Sequence, residues 1–147
     1  MVLEKERSKN FAIIGVDISE SMCKAARKGL PDEVTVVCAN ALEFLKDVKE
    51  RYDLITIFDV IEHMTVDKAR ELLKKCNERL SPNGSVVIRT PNMSNILASY
   101  SRYKDITHQT GYTEWNIFQL LDEAGFQGHQ IIKSGLSLKT RLTLAIA

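Results

Sequence analysis

The sequence predicts an α/β fold in which a mostly parallel β-sheet carries helices on both faces. Two observations lead to this prediction: short apolar, β-branched runs alternate with segments of helical periodicity, and capping or turn residues separate them. The chain has 147 residues, of which 44% are hydrophobic and 27% are charged. This length and composition fit a single globular domain over 1–147 and exclude the disordered and fibrous classes.

The first part of the chain contains two predicted strand–helix units. Phe11 to Val16 is a short apolar run that predicts a strand, and Ser19 is a suitable N-cap for a helix that ends at Gly29. Val34 to Cys38 predicts the next strand, and a short surface helix is expected after Asn40. The first of these helices is predicted to turn Met22, Ala25 and Ala26 inward. The apolar positions at helical spacing in the second are Leu42, Leu45 and Val48.

The middle of the chain repeats the same pattern with stronger signals. Asp53 to Phe58 predicts a third buried strand, and Val66 to Leu80 is the clearest helix of the chain. Ser81 to Gly84 has the composition of a turn, and Ser85 to Ile88 predicts a fourth strand. The apolar stripe of the long helix is predicted to consist of Val66, Ala69, Leu72, Leu73, Cys76 and Leu80.

Residues 90–112 are irregular and polar, and they form a candidate lid, because long connections of this kind usually cover a site. Thr113 caps a predicted helix that stops before Gly125, and two strands, at about 129–133 and 141–146, follow it. This helix is expected to turn Trp115, Phe118, Leu121 and Ala124 to one side. Tyr100, Tyr103, Tyr112 and Trp115 either line an acceptor pocket under the lid or pack the lid onto the core.

Charge and cysteine usage narrow the class of protein further. The 20 Lys and Arg residues nearly balance the 19 Asp and Glu residues, so no large positive surface is expected and nucleic acid is an unlikely partner. Cys23, Cys38 and Cys76 form no C-x-x-C pair, which favours free thiols and a cytoplasmic location. No apolar run approaches the length of a membrane span or of a secretion signal.

Parallel α/β sheets bind ligands at the carboxyl ends of their strands, so the residues that follow each predicted strand are the candidate site. Asp17 stands where a carboxylate can accept hydrogen bonds from both hydroxyls of a ribose, or where it can help to cap the next helix. Asn40 can donate to and accept from an adenine edge, or it can form an Asx-turn. Asp59, Glu62 and His63 follow the third strand.

In order along the chain, several segments together resemble the class I S-adenosylmethionine-dependent methyltransferases. They are Gly15–Ser19, Ala39–Ala41, Tyr52–Ile55, Asp59–Met64, Leu80–Gly84 and Thr90–Asn92. The resemblance implies a Rossmann-like sheet and S-adenosylmethionine as the cofactor. It assigns Asp17, with its neighbour Ile18, to the cofactor ribose, and Asn40 and Ala41 to the adenine. It places Asp59 near the methyl donor.

The sequence departs from the family at its start. The family begins with a strand and a glycine-rich turn, whereas the 7 glycines of this chain form no G-x-G. In comparison with the family, Met1 to Asn10 resemble the tail of the first helix, so the fold is expected to be N-terminally incomplete. The strand from Ala12 to Val16 would then have an unpaired edge that favours self-association or a partner.

Within the family, Asp59-x-x-Glu62-His63 followed by His108 resembles the metal-assisted O-methyltransferases of ubiquinone biosynthesis and of small RNA. This resemblance implies a Mg²⁺ site made by Asp59, Glu62, His63 and His108. Two alternatives stay open: His63 or His108 acts as a general base without a metal, or these residues are structural or line the cofactor. The expected function is S-adenosylmethionine-dependent O-methylation of a small-molecule or glycan acceptor. The rival is a non-catalytic binding or scaffolding module that has lost the cofactor.

Overall fold

A computed structural model describes residues 12–95, 98–132 and the backbone of 145–146. The chain forms two compact units that divide between Asp47 and Val48. Parallel strands joined by helices confirm the predicted α/β class. The expectation of a single domain stays a prediction, because two compact units can belong to one domain. None of the described helices is long and apolar enough to cross a membrane.

The first unit consists of two parallel strands, each followed by a helix. β1 (Ile13–Asp17) pairs with β2 (Val34–Cys38), and α1 (Glu20–Gly29) and α2 (Ala41–Asp47) follow them. The Ser19 side chain caps α1 by accepting from the Met22 N–H, as expected. Within the described residues β1 pairs with β2 alone, so its other edge has no strand partner there.

The inward face of α1 differs from the predicted one. Cys23 is the buried residue of this helix, whereas Met22 and Ala25 are exposed and Ala26 is half-buried. Successive helical residues are about 100° apart, so a face centred on Cys23 turns Met22 away. In α2, Leu45 is buried as predicted. The first residues of β1 are also less covered than a buried strand requires, since Ile13 is 52% exposed and Ile14 is 41% exposed.

The second unit begins with β3 (Tyr52–Phe58), which pairs in parallel with β4 (Leu80–Arg89). The register shifts between them, because Tyr52 lies opposite Leu80 but Leu54 lies opposite Ser85. The predicted turn therefore lies inside β4 as a bulge. Asn83 adopts a φ of 67° there, and a Cβ on Gly84 would come within 3.0 Å of two backbone carbonyl oxygens, those of Ser81 and Tyr52. Only glycine fits that position without a shift of the backbone.

The long helix α3 (Val66–Arg79) has the predicted bounds to within one residue, and the Thr65 side chain caps it. Its predicted stripe is buried except at Val66, which is exposed at the first turn. The buried stripe consists of Ala69, Leu72, Leu73, Cys76 and Leu80. This helix, together with the inner residues of β4, supplies much of the core of the second unit.

The lid region contains α4 (Ala98–Tyr103), and α5 (Glu114–Glu123) follows it. Thr113 and Asn116 form a capping box at the start of α5, and Gly125 adopts a φ of 89° just past its end. The prediction that Trp115 lies on the same side as Leu121 and Ala124 is wrong, because Trp115 is 81% exposed whereas the other two residues are buried. The buried face is built by Ile117 and Leu120, and Trp115 lies about 200° around the helix from Ile117.

The end of the chain forms a short antiparallel pair, β5 (Gln130–Ile131) with β6 (Ala145–Ile146). These strands fall within the predicted ranges. The predicted first-helix tail at residues 1–10 and the whole of residues 133–144 lie outside the described residues.

Candidate active site

In the first unit, Asp17 ends β1 and Asn40 precedes α2, as the sequence predicts. Asp17 Oδ1 accepts from the Ser19 N–H at 2.7 Å, and Asn40 Oδ1 accepts from the Leu42 N–H at 2.9 Å. The local capping roles that the sequence left open are therefore present. Both side chains are exposed, so the second oxygen of Asp17 and the amide nitrogen of Asn40 remain accessible to a ligand. Ile18, also exposed, and Ala41 lie next to them in the chain.

In the second unit, Asp59 is held at the end of β3 by Arg89. Its backbone has a φ of 54°, and its N–H donates to the Arg89 carbonyl at 2.9 Å. Its carboxylate forms an ion pair with the Arg89 guanidinium, which also lies 4.9 Å from the centre of the Phe58 ring. Asp59 is thus engaged with β4 by both its backbone and its side chain.

Glu62, His63 and His108 form a cluster in which one ligand atom of each residue lies within 4.8 Å of the others. The structure does not bring Asp59 into this cluster, which corrects the predicted set of four ligands. The two imidazole rings lie 4.8 Å apart between centres and are tilted by 59°. Glu62 and His63 come from a single 3-10 turn, Ile61–His63, and His108 comes from the lid.

Glu62 is the most unusual member of the cluster, because it is a carboxylate that is only 3% exposed. Its Oε2 accepts from the Thr90 hydroxyl at 3.1 Å, and its Oε1 is buried without a hydrogen-bond partner. A buried charged oxygen without a partner is costly, and it is rare in native proteins. The arrangement fits a site that a cation or a ligand donor completes.

Backbone and side-chain hydrogen bonds fasten the lid to the turn that carries Glu62. The N–H groups of Gln109 and Thr110 both donate to the Glu62 carbonyl, at 2.7 and 3.1 Å. The Gln109 side-chain amide donates to the His63 carbonyl at 3.0 Å, and the Thr110 hydroxyl donates to the Met64 carbonyl at 2.7 Å. The positions of the two histidines are therefore set by the same loop contacts.

The orientation of His108 also fixes where its proton lies. Its Nδ1 is 3.1 Å from the Ser101 carbonyl, which can only accept, so Nδ1 carries the hydrogen and Nε2 carries the lone pair. Arg102 donates to the carbonyls of His108 and Gln109, which ties α4 to this segment. Thr90 belongs to a motif that the sequence analysis named, but its contact with Glu62 was not predicted. The role of Arg102 was not predicted either.

The cluster can hold a metal, but it does not suit Mg²⁺. Magnesium prefers an octahedral shell of oxygen ligands, whereas this cluster offers one carboxylate and two imidazoles. Imidazole ligands suit zinc, iron and other transition metals. The Mg²⁺ expectation therefore has no support in the chemistry of the donors.

The lid aromatics differ in burial, and only Tyr112 has the packing role that the sequence allowed. Tyr112 is buried, and its hydroxyl lies 3.5 Å from the Ile61 carbonyl, so it packs the lid. Tyr100 and Tyr103 are 74% and 79% exposed and do not pack the lid onto the core. With Trp115, they leave aromatic surface uncovered on the second unit.

Comparison with known families decides the assignment. A sequence profile described as a methyltransferase domain matches residues 2–84 of this chain, more than half of its length. The chain belongs to this methyltransferase family. The resemblance drawn from the motifs is thereby confirmed, although the chain has no G-x-G among its glycines.

Among curated relatives, a ubiquinone biosynthesis O-methyltransferase of Bradyrhizobium diazoefficiens is 34% identical over 118 residues, which cover 76% of this chain and 45% of the relative. An N-terminal Xaa-Pro-Lys N-methyltransferase 1 of Danio rerio is 35% identical over 78 residues, which cover 50% of this chain and 34% of the relative. The methyltransferase domain described here thus spans less than half the length of these relatives.

Solved structures agree with the fold. A SAM-dependent methyltransferase from Archaeoglobus fulgidus superimposes with a TM-score of 0.72 at 29% identity, over 80% of this chain and 52% of that one. An O-methyltransferase family protein from Burkholderia thailandensis gives 0.73 at 19% identity, over 90% and 42% of the two chains. The Rossmann-like fold that the motifs imply is therefore confirmed.

Proposed function

We propose that this chain transfers the methyl group of S-adenosylmethionine to an oxygen atom of a small-molecule acceptor. The observation that supports this most is the buried cluster of Glu62, His63 and His108, with its unpartnered carboxylate oxygen at the end of β3. A scaffold that had lost catalysis would gain nothing from a buried, unsatisfied charge. Family membership supplies the cofactor class, and the Bradyrhizobium relative is named as an O-methyltransferase.

The proposed contacts with the nucleoside of the cofactor lie in the first unit. The free oxygen of Asp17 would accept from a ribose hydroxyl, and the Asn40 amide would donate to the adenine edge. Ile18 offers an exposed apolar surface for the same nucleoside, and Ala41 leaves the start of α2 uncrowded. Asp59, ion-paired to Arg89 and held at a positive φ, is the proposed contact near the methyl donor.

The chemistry needs little from the protein beyond position and proton removal. The S–CH₃ bond of the sulfonium breaks as the acceptor oxygen bonds to the methyl carbon, and the neutral thioether leaves. The hydroxyl proton must go to a base, and an imidazole Nε2 of the cluster is suited to take it. A divalent cation held by Glu62, His63 and His108 would instead lower the pKa of the bound hydroxyl.

These two roles exclude each other, because a bound cation occupies the imidazole lone pairs that a general base needs. The donor set favours zinc or another transition metal over Mg²⁺. The exposed Tyr100, Tyr103 and Trp115 offer aromatic surface on which the flat face of an acceptor, an aromatic ring or a sugar, could stack. Self-association through the edge of β1 that has no strand partner among the described residues stays a prediction, which gel filtration can test. The cytoplasmic location also stays a prediction.

The test is methyl transfer from methyl-labelled S-adenosylmethionine to a panel of phenols, alcohols, glycans and amines. We expect labelled ether products, and we expect His63→Ala and His108→Ala each to lower kcat by about 100-fold. His129→Ala is the matched control, since His129 pairs with Asp122 and lies outside the cluster. Loss of activity in a chelator, restored by zinc, would select the metal role. Cofactor binding without turnover of any acceptor would support the non-catalytic module instead.

A further inference from the structure

Two lid residues that the proposed mechanism does not use, Thr107 and Asp105, are linked to His63 by hydrogen bonds, and only Thr107 contacts it directly. The Thr107 hydroxyl oxygen lies 2.9 Å from His63 Nδ1 and 2.6 Å from Asp105 Oδ1. The Thr107 N–H also donates to Asp105 Oδ1 at 2.9 Å. Asp105, Thr107 and His63 therefore form a chain of hydrogen bonds that ends at the buried cluster.

The number of hydrogens in this chain determines its direction. A hydroxyl has one hydrogen, and a carboxylate can only accept, so the short contact with Asp105 uses the Thr107 hydrogen. The Thr107 oxygen then has only lone pairs to offer to His63. It can accept from a hydrogen on Nδ1, which leaves the lone pair of the ring on Nε2.

We propose that Asp105 and Thr107 are positioning residues that hold His63 in the tautomer with hydrogen on Nδ1 and so keep Nε2 available to the cluster. This inference rests on the proposed function for its purpose, because Nε2 is the atom that would bind a cation or take the acceptor proton. Partners of this kind commonly orient the ring of a functional histidine and fix its tautomer.

The environment of Asp105 supports its part as a fixed acceptor. The pKa of its carboxyl is lowered, first by the hydrogen bond from the Thr107 hydroxyl and then by that from the Thr107 N–H. The carboxylate form therefore persists at neutral pH.

The two histidines of the cluster differ in what fixes them. His108 donates Nδ1–H to the Ser101 carbonyl, a backbone group that no substitution removes. His63 depends on a side-chain hydroxyl whose direction is set by a second side chain that does not touch it. Substituting Asp105 should therefore change the tautomer of His63 without removing any of its contacts, an effect that packing alone would not produce.

The experiment is a long-range ¹H–¹⁵N correlation spectrum of the full chain labelled with ¹⁵N-histidine, in chelator at about pH 8.5, above the ordinary histidine pKa of about 6.5. We expect His63 of the unaltered chain to carry its hydrogen on Nδ1. In Thr107→Val the ratio of the Nδ1–H to the Nε2–H tautomer should fall about tenfold, the worth of one hydrogen bond. Thr107→Ser should restore the ratio.

Asp105→Ala provides the second, independent variant. It frees the Thr107 hydrogen to rotate toward Nδ1, so the Nε2–H form of His63 should again increase. Thr35→Val, at an exposed strand position of the first unit, is the matched control and should change nothing. An unaltered chain with His63 hydrogen on Nε2 overturns the inference, and so does a Thr107→Val or Asp105→Ala chain with an unchanged ratio.

Catalysis gives a second readout. Thr107→Val should lower kcat about tenfold with an unchanged KM for S-adenosylmethionine, and Thr107→Ser should recover it. The two proposals fail separately, because the tautomer is read in the ligand-free chain. A shifted tautomer in a chain that methylates nothing would uphold the positioning role and reject the proposed function. An active enzyme in which Thr107→Val leaves the tautomer of His63 unchanged would uphold the proposed function and reject the positioning role.

Discussion

Replacing Glu62 by glutamine is expected to stabilise the metal-free chain while it abolishes methyl transfer. The Glu62 carboxylate is buried, and its Oε1 has no hydrogen-bond partner. A buried polar group left unpaired costs about 1–3 kcal/mol, and a charged group costs more. The amide oxygen of glutamine can still accept from Thr90, and the amide nitrogen can donate to the lone pair of a neighbouring imidazole. We therefore expect the free energy of unfolding to rise by about 1–2 kcal/mol.

Urea denaturation followed by circular dichroism measures this change, first in chelator and then with added zinc. Glu33→Gln is the matched control, because Glu33 is exposed in a loop and should shift the free energy of unfolding by less than about 0.5 kcal/mol. Zinc at about 100 times its dissociation constant should stabilise the unaltered chain by about 2.7 kcal/mol and should not stabilise Glu62→Gln. A Glu62→Gln chain less stable than the unaltered one in chelator would refute the reasoning.

Three further predictions concern the frame of the site. Gly84→Ala should lower the free energy of unfolding by about 1–3 kcal/mol, because the new Cβ would meet two backbone oxygens. Gly29→Ala is its control: the new Cβ would lie in open space, so this change should be neutral or slightly stabilising in the same urea titration. Burial raises the pKa of the Cys76 thiol to about 12. A thiol reagent should therefore modify the exposed Cys38 first and Cys76 only on unfolding. Equal rates of modification of the two thiols would contradict this prediction. The pKa of Asp105 is lower in the folded chain than in the unfolded one, so its carboxylate stabilises the fold above the unfolded pKa of about 3.9. This stabilisation is lost as the pH falls through the lower folded value. Asp105→Asn should therefore flatten the acid limb of a plot of unfolding free energy against pH.

The elements with strong local signals were predictable from sequence. β2 has the predicted bounds, and the ends of α1 and α3 agree with their capping residues. These features depend on neighbours within a few positions, which propensity and capping rules describe well. Which face of a helix turns inward was predictable only where apolar residues form a long stripe, as in α3.

The short helices show why the rest was not predictable. The face of α1 is centred on Cys23 and not on Met22, and Trp115 of α5 lies in solvent. In both helices two apolar faces were available, and the choice between them depends on what packs against the helix. A single sequence does not contain that information.

The site shows the same division between local and distant contacts. Glu62, His63 and His108 were predicted together, and the structure brings them together. Asp59 is close to Glu62 in sequence but is not part of the cluster, and it forms an ion pair with Arg89, a residue on a different strand. Thr90 was named only as part of a motif, and Thr107 was not predicted, since the contact of each with the cluster joins residues that are distant in the chain.

The most direct test of the central claim is isothermal titration of the full chain with S-adenosylmethionine and with S-adenosylhomocysteine. Asp17→Ala removes the proposed ribose contact, and Asp32→Ala, at an exposed loop position of the same unit, is its matched control. We predict binding in the micromolar range that Asp17→Ala weakens at least tenfold and Asp32→Ala leaves unchanged. A well-folded chain that binds neither compound, or whose binding is indifferent to Asp17, would contradict the account.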